Sequence, residues 1–96
     1  MKSSIELKKA LLLLDYGKLD KGRAQLENVI LQAENENDFV ILVRALVCLG
    51  DLLFEVGSLE DAKIYLNKAL SYKVNINDDL LDYEFSRASE LLLKLA

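Results

Sequence analysis

The sequence contains no histidine, proline, tryptophan or threonine, and only one cysteine, one methionine and four glycines. Without histidine, the commonest acid–base side chain and the commonest transition-metal ligand are both missing. A single thiol closes no disulfide framework and builds no Cys-rich zinc centre, so a reducing compartment is the expected home. Long apolar runs are lacking too. The longest, Phe39 to Leu49, is interrupted by Arg44, and a bilayer needs about 20 residues. The start, MKSSIELKKALLLLDY, has the lysines of a signal peptide, but its apolar core is only Ala10–Leu14 and no small-residue cleavage site follows. The expectation is a soluble, cytoplasmic protein.

What is present is leucine, 22 of 96 residues, in a chain that is 52% apolar and 29% charged with a mean hydropathy of +0.15. Such a chain is too apolar to be disordered, and at 10.8 kDa it makes one domain. The net charge of −4 is unevenly spread. Residues 1–23 carry six basic against three acidic groups, and residues 24–96 carry six against thirteen. An acidic body disfavours generic binding to phosphate backbones. The basic start is either a solvated helix face or a surface that steers a partner, such as the acidic end of a second copy.

Five helical segments can be drawn. The first spans about Ser4 to Tyr16, with Ser3 and Glu6 in a capping-box pattern and Gly17 as its stop. The second spans about Leu19 to Ala33 and ends in a polar break, Asn35-Glu-Asn37. The third is capped by Asp38 and runs to Val56, stopped by Gly57. The fourth runs from Ser58 to near Tyr72, and a second break, Asn75-Ile-Asn77, precedes a last helix from about Asp78. No stretch alternates with period two for long enough to be a strand.

Shifted by 40, the chain matches itself. Leu12, Leu13, Gly17, Leu19 and Leu26 fall on Leu52, Leu53, Gly57, Leu59 and Leu66, and Asp38 falls on Asp78. One period is helix, Gly turn, helix, polar linker, and periods near this length indicate stacked helical hairpins. The expected domain is a single all-α unit over residues 1–96. It holds one hairpin at about 4–34, a second at about 38–73 and a capping helix at about 78–96.

Within the second hairpin the order of small and large residues is distinctive. Gly50 is followed by Leu53, the Gly57 turn and Leu59, then by Ala62, Leu66 and Ala69. In these positions the stretch 45–70 resembles a tetratricopeptide repeat, in its variant of about 40 residues as opposed to the standard ~34. Residues 5–30 resemble it more weakly, with Ala10, Leu13, Gly17, Leu19 and Leu26 in place but Gly22 and Val29 where alanine is usual; no proline ends either repeat. The resemblance implies a short right-handed solenoid that binds a peptide or helix in a concave groove. The groove would be lined by the first helix of each hairpin: Ser4, Leu7, Leu11, Leu14 and Asp15, then Arg44, Val47, Asp51, Phe54 and Glu55. Members that clamp an acidic chaperone tail use Lys, Arg and Asn there. Asp15, Asp51 and Glu55 would repel a carboxylate, so a basic or apolar segment is the expected ligand.

The third helix also stands out by its own pattern. Between Phe39 and Val56 its only charges are Arg44, Asp51 and Glu55, on one narrow stripe. It reads either as the central helix of a bundle with one wet stripe or as a groove lining, with the face open or covered by the last helix or by another chain. The last helix offers a stripe of Leu81, Phe85, Ala88, Leu92 and Leu95. Its final turn is apolar nearly all round, so Leu91, Leu92 and Leu95 are candidates for self-association as a homodimer.

Other features have plainer readings. Cys48 is expected to be a buried thiol, because no histidine exists to activate it. The acids at 34, 36 and 38 and at 78, 79 and 82 lack calcium-loop spacing and suit helix N-termini, so no metal is expected. Seven tyrosines and phenylalanines lie at core spacing without interleaved basic residues. No cofactor motif or nucleophile–base pair is present, so no enzyme is expected. The functional expectation is a non-catalytic protein-binding or scaffolding module that self-associates. The alternative is a small regulatory or nucleic-acid-complex subunit using the basic first hairpin.

Overall fold

Gly17 and Gly57 adopt φ of +75° and +85°, a region open to glycine and strained for other residues. Each closes the same cap. Gly17 N–H donates to the Leu14 carbonyl at 2.9 Å and Lys18 N–H to Leu13 at 2.9 Å. Forty residues on, Gly57 donates to Phe54 at 3.2 Å and Ser58 to Leu53 at 2.9 Å. This is the Schellman pattern, which satisfies carbonyls that a helix end leaves free. A third copy sits midway. Asn37 takes φ +55°, as asparagine can, and Asp38 N–H donates to Ala33 at 2.9 Å. Chain reversals at 17, 37 and 57 therefore cut the chain into helices of similar length.

The computed structural model describes residues 2–74, 76 and 79–96. The helices are α1 (Lys2–Asp15), α2 (Leu19–Glu36), α3 (Phe39–Glu55), α4 (Leu59–Ser71) and α5 (Asp82–Leu95), the last preceded by a 3₁₀ turn at Asp79–Leu81. Among the described residues there is no strand, and no helix is long and apolar enough to cross a membrane. Each helix packs on its neighbour in the chain, and α5 rests on both α4 and α3. The central helix is α3, which also touches α1. Leu42, Leu46, Leu49 and Leu53 on it are wholly buried, as the sequence pattern required.

Small residues set the spacing inside each hairpin. A Cβ on Gly50 would stand 2.6 Å from Cδ2 of Leu66, and one on Gly22 would stand 2.5 Å from Cδ2 of Leu14. Their partners across the 40-residue shift, Ala10 and Ala62, are fully buried. Each hairpin thus holds one glycine and one alanine at its close approach, in opposite order.

Two local readings change. Ser3 and Glu6 form no capping box. Ser3 lies within α1 and is wholly buried, because its Oγ donates to Oε1 of Glu36 at 2.7 Å, with Oδ2 of Asp38 at 3.3 Å. Glu6 instead accepts from Nε2 of Gln25 at 2.6 Å and from Lys9 at 3.1 Å, and the Gln25 contact, then Lys9, hold its carboxyl below the ordinary value. The break after the second helix narrows to Asn37, since Asn35 and Glu36 stay helical. Asp38 does cap α3, accepting from Ile41 N–H at 3.3 Å, whereas the matching cap expected of Asp78 lies outside the described residues.

The last helix is rotated relative to the expected stripe. Leu81, Phe85, Ala88 and Leu91 are its buried residues, and Leu92 and Leu95 are only half-buried. Leu91 is therefore core and is withdrawn as a self-association residue. The exposed leucine of the final turn is Leu93, at 77%.

Candidate interaction groove

The first helices of the hairpins and α5 face one another across a cavity of about 250 Å³. From α1 come Leu7 and Leu11, from α3 Arg44, Val47, Cys48 and Asp51, and from α5 Tyr83, Glu84 and Arg87. The floor is apolar. Leu7 and Val47 are nearly buried, while Leu11 stands 43% exposed at the rim. A more open depression continues past Cys48, Asp51 and Arg87 to Leu14, Leu19, Leu52 and Glu55.

Seven of the ten groove residues expected from the sequence line these two connected hollows. Phe54 does not. It is half-buried against the core and lines neither one. Ser4 and Asp15 line neither one either. Sequence reasoning missed the wall made by Tyr83, Glu84 and Arg87, having treated α5 as a cap. The signal was available: a shift of 40 carries Arg44 onto Glu84 and Val47 onto Arg87.

That wall changes the electrostatics. Arg87 grips Asp51 with two hydrogen bonds, Nη2 to Oδ1 at 3.1 Å and Nε to Oδ2 at 3.2 Å, the fork geometry that suits a guanidinium to a carboxylate. Its Nη1 also reaches Glu90 at 3.2 Å. Arg44 lies 3.7 Å from Glu84. The Asp51 hydrogen bond raises the Arg87 pKa above its ordinary value. Two arginines and two carboxylates therefore cancel inside the cavity. The acidic stripe expected of α3 survives only at Glu55, which is exposed and has no ion pair among the described residues. A site of this kind can seat apolar side chains between fixed ion pairs.

Cys48 lines both hollows and is half-buried. Burial, reinforced by the charge of Asp51, pushes its thiol up to about 11. The thiolate is the reactive form, and an unperturbed thiol titrates near ~8.5. Alkylation by iodoacetamide at pH 8 should therefore run at least about tenfold slower in the folded protein than in urea. Equal rates would show that Cys48 is neither desolvated nor shielded.

Comparison with protein-family models, with curated proteins and with solved structures finds no match to this chain.

Proposed function

We propose that this protein is a non-catalytic interaction module, built as a short right-handed tetratricopeptide-like solenoid, that binds a peptide or helix in the groove between α1, α3 and α5 and also self-associates. The observation that carries the reading is the groove itself. Three alternating helices converge on an apolar floor of Leu7 and Val47 with Leu11 at its rim, flanked by ion pairs that hold α5 against α3. Buried apolar anchors in a rim of paired charges are what concentrates affinity in protein interfaces. The preferred ligand is an amphipathic segment with an apolar anchor, because the cavity charges are already paired in opposite signs. A basic residue is favoured only toward Glu55.

The test starts from a peptide selected against the protein from a displayed library and titrated by calorimetry. Leu11→Asp combined with Arg44→Glu should weaken binding by roughly 30-fold or more, the scale of a lost hot spot of about 2 kcal/mol. Phe54→Ala, outside the groove, should change it less than threefold, with the helical circular dichroism of both variants intact. A selected peptide indifferent to Leu11→Asp/Arg44→Glu would remove the groove from the proposal.

A further inference from the structure

The 40-residue shift aligns three helices, and only one of them is bare on a face that the other two bury. On α3 this face is covered by α2, and on α5 it is covered by α4. Ala45 and Phe85 occupy it at 0% and 5% exposure, whereas the corresponding Ile5 of α1 is 57% exposed. Leu52 and Leu92 are half-buried there, whereas Leu12 is 55% exposed. Apolar side chains at these positions are what a covering helix needs, and α1 carries them without one.

Charge selects the occupant. The bare stripe is flanked by Lys8 and Lys9, both exposed, in the part of the chain that carries the excess of positive charge. Two copies joined symmetrically through this face would set these lysines against each other. Across the groove from α1, α5 turns Leu93 outward at 77% exposure, together with exposed Asp79 and Asp82, and none of the three lines the groove. We infer that the outer face of α1 docks the outer face of α5 of a second copy, lysines against aspartates and apolar stripe against Leu93. The contact is head-to-tail, so each copy keeps one free end and the assembly grows into a chain or closes into a ring. The inference rests on the self-association in the proposed function and gives it a surface and a polarity.

Sedimentation of the full chain tests it. At low salt the weight-average mass should climb with concentration past twice 10.8 kDa, and it should fall back at high salt as the charges are screened. Lys8→Glu/Lys9→Glu and Asp79→Lys/Asp82→Lys should each remain monomeric with wild-type helicity. Their equimolar mixture should regain the larger mass, because each reversed face then meets an opposite one. Leu12→Asp and Leu93→Asp, at exposed positions outside the groove, should independently lower the mass and serve if a charge reversal unfolds. A wild type that stays at the monomer mass overturns the inference. So does a closed dimer indifferent to both reversals, or a mixture that stays monomeric. Peptide affinity in the groove of Lys8→Glu/Lys9→Glu should equal that of wild type, which separates failure of this contact from failure of the groove.

Discussion

Gly50→Val should lower the stability of the domain by about 3 kcal/mol, read as a lower urea midpoint at unchanged slope. The new Cβ would stand 2.6 Å from Cδ2 and 2.7 Å from Cγ of Leu66, and 3.6 Å from the Ala62 carbonyl oxygen. Leu66 is wholly buried, so its Cγ moves only by displacing neighbours packed at crystal-like density. Valine is a better helix former than glycine, but by only about half a kcal/mol, and that does not offset the clash. The loss is large against a net stability of roughly 5–14 kcal/mol for a chain of this length. Leu66→Ala alone should cost about 3 kcal/mol through the cavity it leaves. Combined with Gly50→Val, the total should fall short of the sum by about 1 kcal/mol or more, because the trimmed side chain makes room for the added one. Strict additivity would show that the close approach is not the cause. Gly22→Val gives an internal contrast. Its Cβ would meet Leu14 at 2.5 Å, but Leu14 is only half-buried and can swing outward, so the cost should be nearer about 1 kcal/mol.

The hairpins were legible in the sequence because their causes are local. A glycine that must take positive φ, followed by an apolar anchor and repeated after 40 residues, fixes the two turns without reference to anything distant. The buried face of α3 was legible for the same reason, since three charges on one stripe leave the rest apolar. The start of α1 was not. Ser3 and Glu6 have the spacing of a capping box, but Glu36 and Asp38, more than thirty residues away, offer Ser3 a carboxylate at 2.7 Å and another at 3.3 Å. No local pattern encodes that competition. The groove lies between these cases. Its α1 and α3 linings follow from the repeat. Its third wall depends on α5 returning against α3, and there Arg87 and Glu84 match Asp51 and Arg44 sign for sign. Phe54 was misplaced because a helical face is broad, and a residue at its edge can turn into the core.

Leu91→Ala should cost about 3 kcal/mol, whereas Leu93→Ala should stay within about 0.5 kcal/mol of wild type. The two side chains lie two residues apart in the same apolar turn, and the sequence does not tell them apart. Leu91 is wholly buried and Leu93 is 77% exposed. In a domain of this size the first change should lower Tm by roughly 12–20 °C. The drop should not depend on protein concentration, because Leu91 supports the core of its own chain. A loss that vanished on dilution would return Leu91 to an interface between copies. The consequence reaches the groove. Leu91 anchors α5, which also carries the two charged groups that neutralise Asp51 and Arg44. Loosening that helix frees Asp51 and uncovers the acidic stripe of α3. Leu91→Ala should therefore shift the preferred peptide toward basic sequences at temperatures well below its lowered Tm. Leu93→Ala should leave that preference unchanged, because it alters neither the seating of α5 nor a group that lines the groove.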